Sequence, residues 1–132
     1  MGQLDDYLTA ADHPFEWGRH DCLTFANGWA ALNGKPFGAA WLGHYRTPLQ
    51  AAVHAARICR NGPHDDIYAG IDAALDRAMT LHPSDGMIAA QRETGPLGWG
   101  LGIVRGGAVI RLGASGIEAA LPQAGDVYWS LG

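Results

Sequence analysis

The spacing of apolar residues changes near residue 87, and this change constrains the fold more than any other feature of the chain. Before it, apolar residues recur every three or four positions, which is the period of amphipathic helices. After it, short apolar runs such as 101–104 and 108–112 are separated by glycines, which is typical of strands. Helices followed by antiparallel strands predict an α+β domain.

The sequence predicts four helices before residue 87, and capping signals mark the start of the second, third and fourth. The first carries apolar residues from Leu4 to Ala11 and ends at His13 and Pro14. A third spans residues 48–62, and a fourth follows the acidic cap at 65–66. The inner faces predicted for these last two helices carry Leu49, Ala52, Val53, Ala56 and Cys59 in the third, and Ile67, Ile71, Ala74, Leu75 and Ala78 in the fourth.

The second predicted helix, residues 22–33, has Asp21 as its N-cap and Gly34 as its end. The apolar residues that share the face predicted to be buried are Cys22, Phe25, Ala26, Trp29 and Leu32. Gly28 lies in mid-helix, where glycine costs about 1 kcal/mol relative to alanine. We therefore expect another backbone to approach the helix closely at Gly28.

The C-terminal third predicts a small antiparallel sheet. A turn at 83–86 precedes a buried strand at 87–90, and residues 101–112 form a hairpin that turns at Arg105, Gly106 and Gly107. Further edge strands are expected near Ile117 and at 127–129.

Length, charge and cysteine content narrow the class of protein. The 132 residues predict one domain, 1–132, and a net charge of −4 without a basic run argues against nucleic acid as a partner. No apolar window approaches the roughly 20 residues needed to span a bilayer, and no signal peptide is visible, so we expect synthesis in a bacterial cytoplasm. Cys22 and Cys59 are read as separate thiols, and no cofactor is predicted.

The segment 15–22, Phe-Glu-Trp-Gly-Arg-His-Asp-Cys, places a thiol in the first turn of a helix, directly after the N-cap. Unpaired N–H groups and the helix dipole stabilise an anion there, so the pKa of such a thiol is lowered, as a sulfur nucleophile requires. The alternative interpretation is that Cys22 is a small buried residue on an apolar face.

Other residues near this segment suggest weaker possibilities. His13, His20, Asp21 and Cys22 are potential zinc ligands, but no second Cys/His pair has ligand spacing, so we predict no metal site. Trp17 and Trp99 are expected in loops beside a cleft at Cys22, where an aromatic side chain can line a groove or bind a partner. Arg19 is a candidate for stabilising an anion near Cys22.

Three features together resemble the NlpC/P60 superfamily of papain-like cysteine peptidases, and in particular a small branch found in phage and prophage tail gene clusters. They are residues 17–22 with the helix after them, the Pro-x-Asp-Gly turn at 83–86, and the hairpin that begins Gly-Leu-Gly-Ile-Val at 100–104. The resemblance implies a papain-like domain in which a central helix beginning at Cys22 packs on a small antiparallel sheet. It also implies that Cys22 is the nucleophile, preceded by Asp21, in cleavage of peptidoglycan stem peptides.

The chain departs from the family pattern at the catalytic base. The family's His-x-Gly-Ile segment would overlie 100–103, where Gly100 stands in place of the histidine, and Arg111 falls near the third polar position. A thiol without a base lacks general acid–base help worth about 10²–10⁴-fold in rate. His20 is therefore the predicted substitute base, with His13 and His82 as weaker alternatives.

Two functions follow from the resemblance and this departure. The first is a phage or prophage tail-tip protein that hydrolyses peptidoglycan stem peptides with Cys22, His20 and Asp21 as its catalytic residues. The second is a catalytically degenerate structural component of the tail tip that binds a hub or distal-tail protein through residues such as Trp17 and Trp99. The acidic, weakly charged composition fits delivery as part of a phage-like particle.

Overall fold

In a computed structural model of the protein, the structure describes residues 2–36, 45–51, 53, 71, 75, 79–92 and 99–131. N-terminal helices precede a C-terminal five-stranded antiparallel sheet, which confirms the α+β class. The helices are α1 (Gln3–Ala10) and α2 (Cys22–Leu32), and the strands are β1 (Ile88–Arg92), β2 (Trp99–Arg105), β3 (Ala108–Gly113), β4 (Gly116–Ala120) and β5 (Val127–Trp129). Residues 48–51, 53, 71 and 75 are also helical.

The sheet has the strand order β4-β3-β2-β1-β5, so β4 and β5 form its edges, as predicted. The β2–β3 hairpin pairs Arg105 with Ala108 and turns through Gly106 and Gly107. Both glycines have positive φ angles, 63° and 78°, which a two-residue hairpin turn requires. The turn therefore fixes the register of the two central strands.

The main core lies between α2 and one face of the sheet, here called the helix face. Helix α2 contributes Leu23, Phe25, Ala26, Trp29 and Ala30, and the helix face contributes Ile88, Ala90, Leu101, Ile103, Leu112, Val127 and Trp129. Ile71 and Leu75 join the same core, as predicted for the fourth helix. Trp129 and Ile103 are fully buried.

The opposite side of the sheet, here called the second face, is also packed. Ala89, Val104, Val109 and Tyr128 are buried there in a separate cluster. Successive side chains of a strand point to opposite faces, so the residues between helix-face positions belong to the second face. The central strands β1 and β2 and the edge strand β5 therefore carry buried residues on both faces.

Three expectations for the helices are wrong in detail. Leu32 is 55% exposed, and Leu49 and Val53 are 64% and 42% exposed, while Ala51 is buried. At Gly28 the close neighbour is the hydroxyl of Tyr7 and not a backbone. That hydroxyl donates to the carbonyl of Phe25 at 2.6 Å, so α1 contacts α2 through a side chain.

The remaining inner-face positions predicted for the third and fourth helices, among them Cys59, lie outside the described residues. No helix in the described part of the chain is long and apolar enough to cross a membrane.

Candidate functional site

The N-terminus of α2 is held by a complete capping box. Asp21, which is fully buried, accepts hydrogen bonds on Oδ1 from the backbone N–H groups of Leu23 and Thr24, both at 2.9 Å. The Thr24 hydroxyl accepts in return from the Asp21 N–H at 2.9 Å. The structure thus confirms Asp21 as the N-cap and fixes Cys22 as the first helical residue.

A tight turn brings the chain to this cap. Glu16 and His20 form an antiparallel bridge, in which Glu16 N donates to the His20 carbonyl at 2.9 Å and His20 N donates to the Glu16 carbonyl at 2.7 Å. Gly18, at a φ of 84°, donates its N–H to Asp21 Oδ2 at 2.7 Å. Both carboxylate oxygens of Asp21 therefore bond to backbone N–H groups, and its first role is structural.

Cys22 carries a thiol that is half-buried at the start of α2. It packs against the edge of the main core together with Phe15 and Trp17. Its position at the capped end of an eleven-residue helix is the one that favours a negative charge. The side chain therefore combines partial exposure with an anion-stabilising location.

The His20 ring is held in a defined orientation. Its Nε2 lies 2.8 Å from the carbonyl oxygen of Ala11, and its ring stacks on that of His13 with centroids 3.6 Å apart. A carbonyl can only accept, so Nε2 carries a proton and Nδ1 carries the lone pair of the neutral ring. Of the other histidines considered, His82 lies exposed in the loop before β1.

Tyr45 lies beside the same helix end, and its presence there was not predicted. Its side chain is 1% exposed, and its ring meets that of Trp17 edge-to-face at 6.3 Å between centroids. Burial raises the pKa of Tyr45 well above its ordinary range, and the negative charges of Asp21 and Cys22 raise it further. Tyr45 lies 23 positions after Cys22 in the sequence, and no local sequence signal could have placed it there.

The other candidate residues are dispersed around this end of the fold. Trp17 is half-buried and also packs edge-to-face on Phe15 at 4.9 Å. Arg19 is exposed and lies 3.8 Å from Glu16 across the turn. Trp99 is half-buried at the start of β2 and packs against the main core. Of these three residues, Trp17 is the one whose described contacts include Tyr45.

Gly100 and Arg111 belong to the second face of the sheet. Each alternates with residues of the helix face, Leu101 beside Gly100 and Ile110 and Leu112 beside Arg111. Positions 100 and 111 therefore both project from the second face, on the side of the sheet opposite the main core. That Arg111 falls near the third polar position of the family stays a prediction.

Arg111 joins a polar network on the second face. Its guanidinium donates to Gln91 at 3.2 Å and to Glu118 at 3.3 Å. Gln91, which is buried, donates to Asp126 at 2.8 Å. Burial, together with the charge of Asp126, raises the pKa of Tyr128 on the same face. This network joins β1, β3, β4 and the turn before β5.

Two shallow cavities occur in the described part of the chain. One of about 350 Å³ lies at the C-terminal end of α2, between Trp29, Asn33 and the turn at 84–87. The other, of about 340 Å³, lies between Asp12 and the β3–β4 turn. Among the described residues, no group of three His, Cys, Asp or Glu side chains is arranged to hold a metal ion.

Comparisons with other proteins give a family and no named relative. No curated protein and no solved structure matches the chain. The model of one family, described as a domain of unknown function (DUF6950), matches residues 2–131. The match covers nearly the whole sequence, and the chain therefore belongs to the DUF6950 family.

Proposed function

We propose that this protein is an NlpC/P60-like cysteine hydrolase of papain-like fold that acts on peptidoglycan stem peptides from a phage or phage-like tail tip. The observation that carries the proposal is the position of Cys22. It is the first residue of a capped helix that packs on a C-terminal antiparallel sheet, and its thiol is half-exposed. This is the arrangement that the motif at residues 17–22 implies.

His20 is the base in this proposal. A base on the family's strand position is excluded, because residue 100 is a glycine on the second face of the sheet. The bond from Nε2 to the Ala11 carbonyl leaves the lone pair on Nδ1, which gives His20 the tautomer that a base requires. The Ala11 carbonyl replaces the third polar residue that orients the imidazole in a triad.

The reaction then follows the usual course of thiol hydrolases. Nδ1 of His20 takes the proton of the Cys22 thiol, and the sulfur attacks the peptide carbonyl carbon. The C–N bond breaks as His20 returns the proton to the leaving amine. Water, deprotonated by the same ring, then attacks the thioester, releases the acid product and restores the thiol.

Purified protein incubated with purified peptidoglycan tests this proposal. We expect release of stem-peptide fragments, detected by mass spectrometry, and its complete loss in Cys22→Ala. His20→Ala should slow release by about 10²–10⁴-fold, because it removes general acid–base help. Cys59→Ala is the matched control, since it also removes one of the two thiols of the chain but should leave release unchanged.

A second candidate function is that of a catalytically inactive tail-tip component that binds a hub or distal-tail protein. The observation that favours it is the absence of a histidine at position 100, with Arg111 engaged by Gln91 and Glu118. The same assay separates the two functions. A wild-type protein that releases no fragments, while its Cys22→Ala variant still assembles into tails, would support the structural role and reject the hydrolase.

A further inference from the structure

The chain after α1 makes a short turn that is anchored to the sheet on both sides of His13. Asp12 Oδ1 accepts a hydrogen bond from the Ile117 N–H at 3.0 Å, and the Phe15 N–H donates to the Ala114 carbonyl at 3.2 Å. A proline follows His13 and disfavours a helical backbone conformation there. The backbone at His13 is therefore held by its neighbours and does not depend on its own side chain.

The Ala11 carbonyl in this turn accepts two hydrogen bonds. Ala11 is the C-cap of α1, so its carbonyl oxygen has no N–H partner within the helix. The His13 N–H donates to this oxygen at 2.9 Å, and His20 Nε2 lies 2.8 Å from it. A carbonyl oxygen has two lone pairs and can accept both donors at once. One atom thus joins the backbone of His13 to the ring of His20.

The side chain of His13 covers one face of the His20 ring. The two ring centroids are 3.6 Å apart and the ring planes are inclined by 17°, which is a stacked arrangement. His13 is exposed, whereas His20 is half-buried. The His20 ring cannot turn about its Cβ–Cγ bond without losing this contact. The bond to Ala11 therefore fixes one edge of the His20 ring, and the stack fixes its plane.

We propose that His13 is a positioning residue, which holds the plane of the His20 ring by stacking and so maintains the bond from Nε2 to the Ala11 carbonyl. The lone pair then stays on Nδ1. The catalytic meaning of this inference rests on the proposed function, in which Nδ1 takes the proton of the Cys22 thiol, but the geometry of the ring can be measured without any substrate. In this arrangement His13 supports the base and does not replace it.

Exchange of the His20 Nε2 proton with water, measured by NMR in 15N-labelled protein, tests the inference. At about pH 7.5, where free histidine is mostly neutral, a ring proton bonded to a carbonyl exchanges more slowly than a free one. We expect His13→Ala to speed this exchange about 2- to 10-fold, the factor that corresponds to the loss of one aromatic pair. An unchanged rate, or a wild-type protein without a bonded ring proton on His20, would overturn the inference.

His13→Phe is the conservative variant, since phenylalanine can stack in the same place but has no ring nitrogen. It should keep the wild-type exchange rate. Neither substitution removes the backbone N–H that donates to Ala11, so a difference between the two variants reports the ring alone. Equal acceleration in His13→Ala and His13→Phe would reject stacking as the cause.

His82→Ala is the matched control. His82 is also exposed, but it lies in the loop before β1, so its removal should leave the exchange rate of His20 unchanged. If His13→Ala unfolds the domain, as circular dichroism would reveal, His13→Ser takes its place. Serine also lacks a ring and should speed the exchange to the same degree; a wild-type rate in this variant would reject the inference.

Hydrolysis of peptidoglycan separates this inference from the proposed function. If both are correct, His13→Ala should lower kcat for fragment release by up to about 10²-fold and leave KM unchanged, because a misplaced base slows the chemical step and not binding. His13→Phe should restore kcat. Faster exchange in His13→Ala, with no fragment release by the wild type, keeps the role of His13 and rejects the hydrolase. Fragment release together with unchanged exchange keeps the hydrolase and rejects the role of His13.

Discussion

Asp21 shows how much one buried carboxylate does for the candidate site. It accepts bonds from the N–H groups of Gly18, Leu23 and Thr24, and so joins the turn before α2 to the first turn of the helix. A sulfur attached to a frayed helix end would have no fixed direction. At the scale of the residue, the position of Cys22 is therefore a consequence of its neighbour.

Asp21→Ala should lower the free energy of unfolding by about 2 to 4 kcal/mol, because it removes the cap and leaves a buried N–H of Gly18 without an acceptor. Urea titration followed by circular dichroism measures the change. Asp21→Asn is the control, since asparagine also caps helices, and it should cost less. An alanine variant as stable as the wild type would show that the cap contributes nothing.

Cys22 and Asp21 could be predicted from the sequence because their geometry depends on adjacent residues. The helix start, the cap and the thiol follow one another along the chain. Tyr45 could not be predicted, since its contact with Trp17 joins residues 28 positions apart and leaves no local signal. The orientation of His20 could not be predicted either, because its bond to Ala11 joins two separate turns.

At the scale of the element, helix α2 shows a limit of predicting burial from the spacing of apolar residues. Phe25 is buried, and Leu32 lies within about 20° of it around the helix, at roughly 100° per residue. Leu32 is nevertheless 55% exposed, because it is the last residue of α2, two turns beyond Phe25. The periodic pattern gave its direction correctly but not its position at the end of the helix.

Gly28 provides a test of how α1 packs on α2. Alanine would gain about 1 kcal/mol of helix propensity, but its Cβ would meet the Tyr7 hydroxyl and break the bond to Phe25. Burial raises the pKa of Tyr7 to about 12, so this hydroxyl remains a donor. We expect Gly28→Ala to destabilise the domain by about 1 kcal/mol in thermal unfolding.

The same substitution in a Tyr7→Phe background gives the control. Without the hydroxyl the collision is relieved, so Gly28→Ala should then be neutral or stabilising. Equal effects of Gly28→Ala in the two backgrounds would mean that Tyr7 is not the reason for the glycine.

At the scale of the whole molecule, an ion pair joins the first helix to the central hairpin. Arg105 at the end of β2 lies 2.7 Å from Asp5 on α1 and 3.6 Å from Asp85 in the turn before β1. Its hydrogen bond and its positive charge lower the pKa of Asp5 below the ordinary 3.8. This exposed contact spans one hundred positions of the chain.

The lowered pKa of Asp5 determines how the stabilising effect of this ion pair depends on pH. Because the pKa of Asp5 is lower in the folded state, the contribution of the pair is present above about pH 4 and is lost as the pH falls through the folded value. The difference in urea midpoint between wild type and Asp5→Asn should therefore be constant near neutrality and shrink below about pH 4. Asp6→Asn, an exposed neighbour, is the control; a pH-independent difference would contradict the assignment.

The strand order could be predicted in outline because hairpin turns and edge strands leave local signals. The assignment of Gly100 and Arg111 to the second face could not, because it depends on which side of the sheet α2 covers. The sequence alone therefore could not show that these two positions share the second face. Only the packing of the helix decides which strand positions can serve a thiol on it.

The saturation of the Asp21 carboxylate has a consequence for how the short Asp-Cys signature is used. Both oxygens accept hydrogen bonds from main-chain N–H groups. The aspartate therefore indicates how the chain begins a helix and gives no information about bond cleavage. A search for that dipeptide therefore finds proteins that share this helix start, whether or not they share a reaction. Two proteins that share it can differ in whether they cut anything at all.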